Sequence, residues 1–169
     1  MSKPGPKNCL TGECNGGLEC DRNSGVGVPP ATVAEWTLSA NPNVPDNYDV
    51  FPCRRISNNK GYPVAECAKD LGPNCPAPLK GPFDSDGFPV GCKSACFTNL
   101  DSNPQNSANC CTGSHNTPET CPASGGAFYS YFKNNCPRFY AYAYGEHSRT
   151  ALFTCDSKLK ADYTLIFCP

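Results

Sequence analysis

Two carboxylates define the first chemistry this sequence could perform. Glu35 lies within Thr32-Val33-Ala34-Glu35-Trp36-Thr37-Leu38, and Asp49 follows Tyr48. Glycoside hydrolysis needs an acid and a base or nucleophile flanking the scissile bond, about 5 Å or about 6.5–9.5 Å apart by mechanism. The stretch around Glu35 alternates, with Val33, Glu35 and Thr37 on one side and Ala34, Trp36 and Leu38 on the other. A solvent-facing position on a half-buried strand is therefore the simpler account of Glu35. Phe139-Tyr140-Ala141-Tyr142-Ala143-Tyr144 also alternates, which puts Tyr140, Tyr142 and Tyr144 on one face. Such a stripe can stack on sugar rings, although packing within a sheet is its commoner fate. Arg138, just before it, is a surface cation or a carboxylate partner. No motif surrounds His115 or His147, and no glycine-rich phosphate loop follows a strand.

The 14 cysteines carry a different chemistry. Zinc would want compact ligand pairs. Cys92-Lys93-Ser94-Ala95-Cys96 offers one, but adjacent Cys110-Cys111 fits a single tetrahedral site poorly. Structural disulfides are the expectation, with no metal and no cofactor, and they require an oxidising compartment. Spacing alone leaves their connectivity open. Fourteen Lys and Arg against 15 Asp and Glu leave a net charge of -1, and the basic doublet is Arg54-Arg55. Nucleic acid, which needs a clustered basic stripe, is disfavoured as a partner. No apolar run approaches the roughly 20 residues that span a bilayer. No hydrophobic stretch follows Lys3, so a signal peptide is not read within this chain. A missing N-terminal piece would reconcile that with a secreted composition.

The elements that must position these residues read as mainly β. Strands are expected at 32–38, 139–144, 151–154 and 163–167, a turn-rich connection at 41–47 and a loop over 51–66. A short helix is expected at 127–133, where Phe128, Tyr131 and Phe132 share a face. Residues 67–136 are cysteine-rich with little hydrophobic periodicity, a loop-rich subdomain held by bridges rather than by a core. The division is thus 1–30, a small disulfide-closed subdomain; 31–66 with 137–169, a β core; and 67–136.

Gly5-Pro6-Lys7-Asn8-Cys9-Leu10-Thr11-Gly12-Glu13-Cys14-Asn15-Gly16-Gly17-Leu18-Glu19-Cys20 resembles the signature of thaumatin-like proteins, the pathogenesis-related group five family. The likeness continues through Tyr48-Asp49-Val50, Gly91-Cys92-Lys93-Ser94-Ala95-Cys96, Asn109-Cys110-Cys111-Thr112-Gly113, Tyr131-Phe132-Lys133-Asn134-Asn135-Cys136-Pro137 and Ile166-Phe167-Cys168-Pro169. It covers nearly the whole chain. The resemblance implies a flattened thaumatin-like β-sandwich, here incomplete, and the pairs Cys14–Cys20, Cys53–Cys155, Cys67–Cys136, Cys75–Cys92, Cys96–Cys110 and Cys111–Cys121. Cys9 and Cys168 are left over, their family partners falling upstream.

The same resemblance implies an acidic cleft. Members that bind or hydrolyse β-1,3-glucan line it with one Arg, one Glu and three Asp. Glu35 and Asp49 match the Glu and the first Asp. The second Asp falls in a gap between Val50 and Phe51, Arg138 stands at the third, and the family Arg would lie upstream. A cation at 138 should lower the pKa of neighbouring carboxylates, the wrong direction for a general acid. The expectation is a secreted, extracellular, monomeric defence or cell-wall protein. It would bind β-1,3-glucan or another wall polysaccharide through Glu35, Asp49, Arg138, Tyr140 and Tyr142 without efficient catalysis. The alternatives are a weak endo-β-1,3-glucanase using Glu35 and Asp49 as catalytic pair, a protein inhibitor of secreted hydrolases, and a non-functional truncated gene product.

Overall fold

A computed structural model describes residues 11, 31, 33–50 and 54–167 of the 169. The expected subdomain at 1–30, the pair Cys14–Cys20, and Cys9 and Cys168 lie outside the described residues.

Six strands form two antiparallel sheets. They are β1 (Ala34–Thr37), β2 (Asp46–Val50), β3 (Arg54–Asn58), β4 (Ala65–Cys67), β5 (Phe153–Cys155) and β6 (Tyr163–Phe167). One sheet runs β1-β2-β5 and the other β4-β3-β6. Tyr48, Val50, Ile56, Ala65, Phe153 and Cys155 are buried together between them, with Trp36, Tyr163 and Leu165 packed around that cluster. The Tyr48 hydroxyl, buried in the same layer, donates to the Pro63 carbonyl at 2.5 Å, so its polar end is satisfied.

The mainly β expectation holds, but two stretches differ from it. The end of the turn expected at 41–47 belongs to β2, and the loop expected over 51–66 contributes β3 and most of β4. Asp46-Asn47-Tyr48-Asp49-Val50 is polar for a central strand. Asp46 tolerates burial because it accepts hydrogen bonds from the Ser39 amide at 2.8 Å and the Tyr163 hydroxyl at 3.0 Å. In β3 only Ile56 is apolar; Arg54 lays its guanidinium on the Phe167 ring, 4.0 Å from the centroid. Conversely, 139–144 is not a strand despite its alternation. The chain there enters a 3₁₀ turn at Gly145–Ser148. Gly145 is buried, and a Cβ on it would come within 3.2 Å of the Ala151 Cβ.

A second buried cluster, Cys67, Leu71, Cys75, Leu79, Ala95, Phe132, Cys136 and Phe139, sits under the cysteine-rich segment. It therefore has a small core of its own as well as bridges. The expected helix is α1 (Tyr129–Asn135), two residues later than read, with Phe132 as its buried anchor. The Tyr131 hydroxyl ties it to the Leu71 carbonyl at 2.7 Å.

Four disulfides lie among the described residues: Cys67–Cys136, Cys75–Cys92, Cys96–Cys110 and Cys111–Cys121. The pairing expected for Cys155 is not made. Its thiol is free and buried in β5, opposite Asp46, while Cys53 lies outside the described residues.

The first bond encloses the other three, with a separation of 69 residues against 10 for Cys111–Cys121. The inner bonds short-circuit the outer loop to roughly 30 residues, so loop-closure entropy gives the outer bond about 1 kcal/mol more stabilisation than Cys111–Cys121. Urea unfolding of Cys67→Ser/Cys136→Ser and Cys111→Ser/Cys121→Ser should show that order, and the reverse order would exclude loop entropy as the dominant contribution.

Candidate functional site

The β1–β2 register builds the site. Glu35 pairs directly with Asp49 and Thr37 with Asn47, while Ala34 faces Val50 and Trp36 faces Tyr48. Strand side chains alternate between faces, so the apolar pairs enter the core and the polar pairs share the opposite face. That face opens into a cleft of about 390 Å³ lined by Glu35, Thr37, Asn47, Asp49, Tyr140, Glu146 and Leu152.

The far wall comes from the segment after Cys136. Lys133 of α1 brackets it, its ammonium donating to the Phe139 carbonyl at 2.8 Å and the Thr150 carbonyl at 3.2 Å. Burial holds that lysine's pKa below its ordinary value. Between these anchors, the Tyr140 hydroxyl donates a short hydrogen bond to Glu146 Oε1. Burial, and then that bond, push the Tyr140 pKa well up, so the hydroxyl keeps its proton as a donor.

Asp49 is the unusual group. Only 6% of its surface is exposed, and its Oδ1 has no hydrogen-bond partner. Burial first, then the negative charges of Glu35 and Glu146, raise its pKa from 3.8 to about 6. Opposed like charges on paired strands repel. A proton held on Asp49 relieves that repulsion.

The cleft therefore gathers Glu35, Asp49 and Tyr140 from the residues singled out in the sequence. Arg138 and Tyr142 do not line it. Arg138 places its guanidinium over the Phe153 ring, 5.1 Å from the centroid, and its backbone bridges Glu66. The expected lowering of the carboxylate pKa by Arg138 is overturned, since Asp49 is shifted upward and its causes are burial and acids. Tyr142 packs edge-on against Tyr129 and Tyr144, with centroids 5.6 and 6.4 Å away. His115 faces the Thr120 carbonyl at 3.0 Å, away from the cleft. Glu146 was missed, because nothing in a Gly-Glu-His-Ser turn marks it as belonging to a strand pair a hundred residues upstream. Among the described residues, no three His, Cys, Asp or Glu side chains are grouped to hold a metal ion. No helix there is long and apolar enough to cross a membrane.

The sequence model of the thaumatin family matches residues 1–169. The chain is 36% identical over 170 residues to pathogenesis-related thaumatin-like protein 3.5 of Cryptomeria japonica, covering 98% of this chain and 64% of that protein. It is 39% identical over 174 residues to pathogenesis-related protein 5 of Arabidopsis thaliana, covering 98% and 65%. With thaumatin-like protein 1 of Pyrus pyrifolia the identity is 37% over 181 residues, covering 100% and 67%. The chain thus spans about two thirds of the length of these relatives.

The raised Asp49 pKa makes stability depend on pH. The folded chain holds this proton more tightly than the unfolded chain, so its contribution is full below about 3.8 and is lost as pH rises through about 6. Asp49→Asn should flatten the decline between these values and stabilise the chain at neutral pH by about 1–2 kcal/mol, allowing for screening by the open cleft. Urea titrations across this window check it; an unchanged decline in the variant would assign the pH dependence elsewhere.

Proposed function

The chain belongs to the thaumatin family, and we propose that it is a secreted defence protein that binds β-1,3-glucan or a related wall polysaccharide along the Glu35–Asp49 cleft, without efficient catalysis. The observation that carries this reading is the combination in one open groove of acceptor carboxylates with an aromatic ring. Glu35, Glu146 and Asn47 offer hydrogen-bond capacity to sugar hydroxyls. Tyr140 offers a ring held in place through its own hydroxyl. Binding sites for small polar ligands have this character, an apolar surface with a few fixed polar groups. Pathogenesis-related names among the relatives support the defence role.

The weak-glucanase alternative takes a changed form. The notable acid is Asp49 rather than Glu35, because Asp49 holds its proton up to about pH 6. A general acid must also come within hydrogen-bond reach of the leaving oxygen. The burial that raises the Asp49 pKa withdraws its carboxyl from a substrate lying in the groove.

The full chain should be retained on insoluble β-1,3-glucan. Tyr140→Ala should lower the affinity by about threefold to tenfold, the range of an aromatic contact, and Tyr142→Ala by less. Absence of retention would sink the glucan reading. Release of reducing sugar from soluble β-1,3-glucan, abolished in both Glu35→Gln and Asp49→Asn, would replace binding with hydrolysis.

A further inference from the structure

Charge is the property of this cleft that a neutral glucan leaves unused. Glu35, Asp49 and Glu146 all line it, and no Lys, Arg or His does among the described residues. The chain as a whole is almost balanced, at -1. The acidity is therefore local to the groove rather than a property of the surface at large.

A cluster of acids alone would be only a solvated patch. Here Asp49 is 6% exposed, and its Oδ1 lacks a hydrogen-bond partner although the residue lines the groove. That oxygen is enclosed, so a cation in the groove acts on it through space rather than by contact, and a buried carboxyl without a donor is the group such a field favours most. The three carboxylates are not grouped to hold a metal ion. They are spread along a groove of about 390 Å³, within the usual size range of pockets for organic ligands. The complementary ligand is an organic cation with several donors per charge, extended along the groove. It should also carry an apolar ring face for Tyr140 and Leu152. An alkylammonium group supplies three N–H donors and one positive charge.

We propose that this cleft takes an amine-bearing polysaccharide, a polymer of de-N-acetylated amino sugar, in preference to neutral or uronate-bearing chains. The inference rests on reading the cleft as the polysaccharide site and names the class of polysaccharide. Glu146 is its specificity-determining residue. It is exposed on the 3₁₀ turn, oriented by the Tyr140 hydroxyl, and adds the negative charge that Glu35 and Asp49 alone would lack. The raised Asp49 pKa agrees with this polarity, since an acid that resists ionisation beside other acids is one that a nearby cation would ionise.

The test is calorimetric titration of the full chain with short oligomers of glucosamine, N-acetylglucosamine and β-1,3-glucose, at about pH 5, where the sugar amine is protonated. The glucosamine oligomer should bind at least about tenfold more tightly than either neutral oligomer, the exposed Glu35 and Glu146 each contributing up to about fivefold. Added salt should erode that preference and leave the neutral oligomers unaffected. Glu146→Gln should reduce that preference about fivefold. Equal affinity for the acetylated and free-amine oligomers would overturn the proposal while leaving glucan binding intact. Binding of the amine oligomer alone would uphold it and overturn the glucan linkage. An amine preference unchanged in both Glu146→Gln and Glu35→Gln would place the attraction outside this cleft and overturn it as well.

Discussion

The antiparallel register of β1 on β2 fixes what is core and what is cleft. Opposite Trp36 stands Tyr48 and opposite Ala34 stands Val50, both β2 residues fully buried. Burying side chains of this size stabilises by about 1.5–3 kcal/mol each. The intervening pairs, Glu35 with Asp49 and Thr37 with Asn47, have no choice of face. Sliding β2 by one residue would turn Tyr48 outward and Asp49 inward, and sliding β1 would do the same to Trp36 and Glu35. Repulsion between opposed like charges costs about 0.2–1 kcal/mol, less than the burial it accompanies. The core wins, and the carboxylates are left paired.

The other half of the cleft depends on a different set of restraints. Tyr140 and Glu146 lie outside the strands, and a single backbone bond, from the Tyr140 amide to the Val50 carbonyl at 3.4 Å, ties their segment to β2. Two further groups hold the segment in place. Lys133 grips the carbonyls of Phe139 and Thr150 at the two ends, and Gly145 lets the turn close on Ala151. Lys133 projects from α1, which is anchored by Phe132 in the second cluster and followed immediately by the Cys67–Cys136 bond. The cysteine-rich segment thereby positions one wall of a groove whose floor belongs to the sheets.

This division explains what could be read from the sequence. Glu35 was legible because its strand alternates cleanly, and Asp49 because the Tyr-Asp-Val stretch resembles the family's. The helix was legible through Phe128, Tyr131 and Phe132, though Phe128 itself falls just before it in a left-handed conformation. The strand carrying Asp49 was not legible, since its burial is underwritten by partners distant in sequence, Ser39 and Tyr163 on Asp46 among them. The Tyr140–Tyr144 alternation misled for the converse reason: the pattern is present, but it meets β2 through one bond, from the Tyr140 amide to the Val50 carbonyl, and forms no ladder. Arg138 misled because its sequence position matched a cleft acid, whereas its side chain turns to Phe153. Glu146 left no local signal, being defined only by where the bracketed turn meets β2.

Binding and catalysis make opposite demands on Asp49. A proton retained to about pH 6 is what a general acid needs, and here the groove lies next to it. Yet the shift comes first from burial, and burial that deep leaves little of the carboxyl for a glycosidic oxygen to approach. An acid whose pKa was raised mainly by its charged neighbours could stay accessible and reactive. One raised mainly by desolvation is inaccessible in proportion to its shift, unless the strand moves. The Glu35–Asp49 pair is therefore better suited to setting the charge and hydrogen-bonding character of a groove than to breaking a bond within it.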